Sequence, residues 1–142
     1  EPNPVSSPPK WFTPVAILAL IWNLLGASAY LMDVTISPEA VAEMGEAQRA
    51  MYASRPAWFV VAYASAVWFG VAGSLALLRR KRWAKPLFVI SLLGLIAQDA
   101  ALLSSPEVRA DLMVIVLQGL VLVIAVSLLM LTRKSEREAW VT

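Results

Sequence analysis

Asn23, Tyr63, Gln98, Asp99 and Gln118 stand out as polar side chains in stretches that are largely apolar. Asp99 is the most demanding. A charged side chain at the bilayer centre costs ~2.5–3.5 kcal/mol on insertion scales, so it faces a helix bundle or a wet cavity. No Lys or Arg lies in any of these stretches to pair with it. Its carboxyl is therefore protonated, solvated from the outer side, or hydrogen-bonded by Gln118, Gln98 or Tyr63. Helical rise counted from the stretch ends puts Asp99, Gln118 and Tyr63 at similar depth. Two readings follow. In one, Asp99 is a proton- or cation-responsive carboxylate lining a small site. In the other it lies only about 9 Å below the Ser105-Pro106-Glu107 turn and reaches interfacial water by its own rotamer. Asn23 reads as a hydrogen-bonding link between helices.

Other chemistry is sparse. The apolar stretches hold no nucleophile–base arrangement, phosphate-cradling glycine loop or paired carboxylates. The 142 residues include no cysteine and no histidine, so thiolate nucleophiles, disulfides and the usual zinc and haem ligands are missing. The chain reads as a non-enzyme with no metal and no cofactor. A formal charge of +2, with the basic residues gathered at helix ends, points away from nucleic acid.

The elements that position these groups are four apolar runs, Pro14–Met32, Ala57–Leu78, Pro86–Leu103 and Leu112–Thr132. Each is about long enough to cross ~30 Å of hydrocarbon as a helix. With 59% hydrophobic residues and a mean hydropathy of +0.68, little is left for a soluble domain. The expected architecture is all-α: a single four-helix transmembrane domain over 1–142. The third run is uncharged only over Pro86–Gln98, short enough for a re-entrant segment, but a non-crossing third run would carry Arg133 and Lys134 to the outside. The proline-rich residues 1–10 read as a disordered lead-in without a signal-peptide charge cluster.

Basic residues set the orientation. Lys10, Arg79, Arg80, Lys81, Arg82, Lys85, Arg133, Lys134 and Arg137 fall on one side, and Arg49, Arg55 and Arg109 on the other, nine against three. The positive-inside rule makes both termini and the hinge Arg79–Lys85 cytoplasmic. Trp11, Trp83, Trp140 and Trp58 suit the two interfaces, whereas Trp22 and Trp68 lie deeper and read as packing. The hinge is topogenic in its ordinary role, with anionic lipid head groups as a second use.

The halves resemble each other. Leu24-Leu25-Gly26 precedes Ser37-Pro38-Glu39 by ten residues, and Leu92-Leu93-Gly94 precedes Ser105-Pro106-Glu107 by ten. Lys10-Trp11-x-x-Pro14 matches Arg82-Trp83-x-x-Pro86, and Ser74–Lys81 resembles Ser127–Lys134. This spacing predicts two hairpins entering from the same side as a parallel repeat. In that register Asp99, Gln98 and Gln118 align with Leu31, Tyr30 and Ser65, so their polarity is special to the second half. In the first outer loop, Ser37, Pro38 and Glu39 open a short amphipathic helix over 38–53, weakened by Gly45. It would serve as a shielding connector or as a lid or docking element.

Ala62, Ala66, Gly70 and Ser74 form a small-residue stripe on one face of the second run, suited to close packing within the bundle or to self-association. The segments Trp11–Gly26, Met51–Leu78 and Trp83–Gln98 resemble a group of small bacterial four-span proteins, some labelled sugar transporters. That resemblance implies a bacterial inner-membrane location and supplies no binding residues. The sparse polar inventory, with no charge pair inside the runs, favours a non-enzymatic accessory or scaffold subunit packing with itself or a larger membrane complex; the alternative is a small oligomeric transporter or channel with a path past Gln118 and Asp99 as its coupling or binding carboxylate.

Overall fold

Proline marks where four helices begin. In the computed structural model, which describes residues 5–142, Pro14 and Pro86 occupy the first turns of α1 (Phe12–Val34) and α5 (Ala84–Leu102). A missing N–H does no harm there, because first-turn N–H groups have no intrahelical acceptor. Pro38 and Pro106 open the short helices α2 (Pro38–Ala42) and α6 (Pro106–Ala110), each directly after a serine. Ser37 Oγ accepts from Ala40 N at 3.1 Å, while Ser105 Oγ donates instead to Glu107 Oε2 at 2.8 Å. The remaining elements are α3 (Glu46–Ala53), α4 (Phe59–Leu78) and α7 (Leu112–Arg137), the last capped by Asp111 Oδ1 accepting from Met113 N and Val114 N. No strand occurs among the described residues.

Four of these helices, α1, α4, α5 and α7, are long and apolar enough to cross a membrane. Three sequence expectations are refined. The outer-loop helix over 38–53 is two helices, because the chain turns extended at Gly45, which then caps α3. The third run is an unbroken helix of 19 residues that extends past its uncharged core at both ends, which makes it long and apolar enough to cross a membrane. The second helices of the two halves close with the same left-handed turn, at Arg80 and Ala139, but not at matching points: α4 stops at Leu78, just before Arg80 and Lys81, whereas α7 runs through Arg133 and Lys134 to Arg137.

The spanning helices form a row. α4 packs closely on α1 and on α5, α5 packs on α7, and α1 and α7 are not closely packed on each other. The closest junction is α4–α5. A Cβ at Gly94 would stand 2.8 Å from both Ala62 O and Ala66 N, and one at Gly73 would stand 3.1 Å from the Phe88 ring. Ser91 Oγ donates to Ala66 O at 2.5 Å across the same junction. Helices in lipid gain nothing from mutual hydrophobicity, so close backbone approach and interhelical hydrogen bonds must hold them.

Apolar clusters close both ends of the row. At one end Phe12, Ala16, Ala76, Leu77, Ala84 and Phe88 bury Trp140 and Val141. At the other, Phe59, Ala101, Leu102 and Val108 pack with Met51, Tyr63 and Val114. The first end also brings Ser6 beside residues 139–142. Ser6 N donates to Ala139 O at 2.8 Å, and Arg80 Nη2 donates to Ser6 O at 2.9 Å. Of the lead-in expected to be disordered, residues 1–4 lie outside the described residues. Within residues 5–10, Ser6 is held at both its backbone groups, by Ala139 O just past α7 and by the Arg80 side chain, while most of the segment stays exposed.

The α4–α5 junction generates a direct stability prediction. Gly94→Ala should destabilise the detergent-solubilised protein by about 1–3 kcal/mol, the usual cost of overpacking. Gly119→Ala, whose new methyl meets nothing within 4 Å, should leave the melting temperature unchanged or raise it. Thermal melts of the two variants check this, and equal destabilisation would contradict the packing.

Candidate functional site

Between the two apolar clusters the spanning helices enclose a cavity of about 310 Å³. Each spanning helix contributes. Asn23 comes from α1, Tyr63 from α4, Ser91 and Gln98 from α5, and Gln118 from α7. Trp22, Leu25, Val67, Phe88, Leu95 and Val121 are among its apolar walls. Ser91, Leu95 and Gln98 repeat at four and three residues, which puts them on one face of α5 beside the Gly94 contact. Because α1 and α7 are not closely packed, the cavity lies along the seam between the first and last spanning helices.

The cavity holds unused hydrogen-bonding capacity. Asn23 Nδ2 is fully engaged, donating to Ala19 O at 2.8 Å and Ser74 Oγ at 2.9 Å. Its Oδ1 sits over Gly70, where any Cβ would collide with it. Among the described residues, that oxygen, the Tyr63 hydroxyl and the amides of Gln98 and Gln118 have no hydrogen-bond partner in the protein. Gln98 is only 7% exposed. Asn23, Tyr63 and Gln118 are only partly buried, so their free groups stay open to a hydrogen-bonding guest. All five polar contributors are uncharged.

Asp99 does not line this cavity. It follows Gln98 by one residue, about 100° around α5, and is half-buried on the neighbouring flank. Its Oδ1 is buried without a partner, and neither Gln118, Gln98 nor Tyr63 hydrogen-bonds it, as the sequence had allowed. Four of the five polar groups singled out from sequence are thus brought together and the carboxylate is left aside. Trp22 is a cavity wall, and Trp68 stacks edge-on against Tyr30 at 6.2 Å.

The small-residue stripe and the basic hinge have structural surroundings of their own. Ala62, Ala66, Gly70 and Ser74 are buried, facing Gly94 and Ser91 of α5 and Asn23 of α1. In the hinge, Arg80 adopts a left-handed backbone (φ 58°) and donates from Nε to Trp140 O at 2.8 Å. Arg82 N donates to Thr142 O and Thr142 N to Arg80 O, at 2.7 and 2.9 Å. Lys85 pairs with Glu136 at 3.3 Å. Among the described residues Arg79 and Lys81 make no ion pair.

One cluster escaped the sequence reading. At the far end Arg55 grips Asp33 through two hydrogen bonds of 2.8 and 3.0 Å, and both side chains are nearly buried. Tyr52 donates to Asp33 Oδ1 at 2.5 Å. The Arg55 guanidinium also lies over the Tyr52 and Phe59 rings, at 4.0 and 4.4 Å. From there an edge-to-face aromatic column runs Phe59–Tyr63–Tyr30–Trp68, reaching the cavity at Tyr63. The available signal was an acid ending the first span and an arginine shortly before the second, which any antiparallel hairpin brings together. Counted only as loop charges, they stayed separate.

No protein-family model, curated protein or solved structure matches this chain.

The Asp33–Arg55–Tyr52 cluster predicts a pH response. Burial, then the hydrogen bond to Asp33 and the nearby carboxylate charge, push the Tyr52 hydroxyl up to about 12, with Arg55 opposing. Since the folded value is raised above the ordinary ~10, its stabilisation is intact below about pH 10 and is lost as pH rises from there through about 12. An absorbance titration differenced against Tyr52→Phe should show this phenol ionising well above pH 10, and nearer 10 in Asp33→Asn. A phenol ionising near pH 10 in both would contradict the cluster.

Proposed function

We propose that this is a multi-pass membrane protein that binds a small uncharged solute with several hydrogen-bonding groups, and passes it through the bilayer. The observation that supports this is the convergence of Asn23, Tyr63, Gln98 and Gln118, with Ser91, on one cavity between two apolar seals. Uncharged donors and acceptors within apolar walls suit a neutral polyol or sugar better than an ion. Such a site fixes orientation through a few polar groups while the walls exclude water.

In the same proposal the membrane is the bacterial inner membrane. Both termini and the hinge Arg79–Lys85 face the cytoplasm, as the division of basic residues favours. The two hairpins derive from a duplication that has since diverged at the end of α7 and in the outer loops. Four helices leave little room for alternating access, so transport requires association of copies along the open α1–α7 seam. The accessory-subunit reading draws less support, because Ala62, Ala66, Gly70 and Ser74 are taken up within the chain's own bundle.

Proteoliposome uptake of labelled glycerol and hexoses tests the proposal. Gln98→Leu combined with Gln118→Leu should reduce uptake at least tenfold, whereas Asp99→Asn should leave it intact. Uptake unchanged by the double substitution, or abolished by Asp99→Asn, would overturn it.

A further inference from the structure

A second site lies at the terminal end, on residues separate from the cavity. Lys85 of α5 and Arg133, Glu136 and Arg137 of α7, together with Met130, line an open surface groove. Three cations against one carboxylate leave it net positive by two charges. Glu136 is already engaged by Lys85 at 3.3 Å. Arg133 and Arg137 have no hydrogen-bond or ion-pair partner among the described residues, and both are exposed. Four residues apart, they project from one face of α7. The site exists because α7 continues beyond the point where α4 stops, carrying Arg137 alongside the start of α5.

What occupies the site is indicated by the surface leading into it. Val123, Val126, Met130, Arg133 and Arg137 follow spacings of three and four, which places them along a single stripe of α7. Val123, Val126 and Met130 are 62%, 40% and 64% exposed. The apolar part of the stripe runs from mid-helix straight into the two guanidiniums. A free anion would use only the cationic end. A phospholipid uses all of it, with an acyl chain along the valines and Met130 and a phosphate between Arg133, Arg137 and Lys85. Planar guanidiniums suit phosphate oxygens through paired N–H donors, and basic pockets between spanning helices bind anionic head groups.

We infer that Arg133, Arg137 and Lys85 form a binding site for the phosphate of an anionic phospholipid whose chain lies on the Val123–Met130 stripe. Glu136 weakens the site by its own charge and by holding Lys85. Lys134 does not contribute, since it lies over the Trp11 and Trp140 rings at 5.9 and 5.8 Å.

Native mass spectrometry of the full chain in detergent, titrated with phosphatidylglycerol or phosphatidylcholine, tests this. Phosphatidylglycerol should remain bound and phosphatidylcholine at least tenfold less. Arg133→Gln with Arg137→Gln should lower phosphatidylglycerol retention at least tenfold, and Glu136→Gln should raise it. The gain expected from Glu136→Gln guards against a loss caused by misfolding. Arg49→Gln with Arg109→Gln, at the opposite end, should change nothing. Equal retention of the two lipids, retention indifferent to the Arg133 and Arg137 substitutions, or complete displacement by millimolar inorganic phosphate would overturn the assignment.

Discussion

The near-backbone contact of α4 with α5 at Gly94 is the constraint on which the rest of this structure depends. In hydrocarbon, a helix pair is held by how closely the backbones approach and by the hydrogen bonds that approach permits. Gly94 set against Ala62 and Ala66 gives the approach, and Ser91 donating to Ala66 O gives the bond. The same contact fixes the rotation of α5. Once Gly94 faces α4, Ser91, Leu95 and Gln98 fall on the side toward the other helices, and Asp99 is turned off that side. The composition of the cavity follows from a glycine one turn away.

A second set of constraints keeps the cavity from collapsing. Asn23 reaches from α1 into the notch at Gly70 and bonds Ser74, spacing α1 from α4 through polar atoms. Apolar clusters close the row at both ends, and each is tied down by charge. Arg55 and Asp33 brace one, and Arg80 with the backbone of residues 139–142 braces the other. Packed ends around a polar middle leave the cavity's side chains already in place. That arrangement suits binding by pre-organised groups, with little ordering left to do on association.

Three of the spans were legible because their signal is long and uncharged, so hydropathy alone identifies them, whereas the third, uncharged only over Pro86–Gln98, needed the charge pattern as well. The polar groups of the cavity were legible for the same reason, since Asn23, Gln98 and Gln118 stand out against apolar neighbours. Which of them meet was not legible. Depth along a helix can be counted from its ends, but rotation depends on which neighbour packs where, and Asp99 was separated from Gln98 by rotation alone. Local chemistry also misled at the helix ends. The repeat suggested that α4 and α7 stop alike, yet α7 continues past Arg133 until a left-handed Ala139 ends it, with Trp140 N bonded back to Ser135 O. That ending needs no glycine, so nothing in the residue types announced it. The single helix over 38–53 failed at Gly45, the residue that weakens it in the sequence, because that glycine turns extended and becomes the cap of a new helix.

The most direct measurement uses the absence of native cysteine. Adjacent residues on α7 face different surroundings: Gln118 lines the cavity, while Gly119 looks outward with nothing within 4 Å. In intact membranes, a small water-soluble thiol reagent should modify Gln118→Cys much faster than Gly119→Cys, because the polar cavity is wet and the outward face is covered by lipid. Equal rates at the two positions, or faster reaction at 119, would contradict the account.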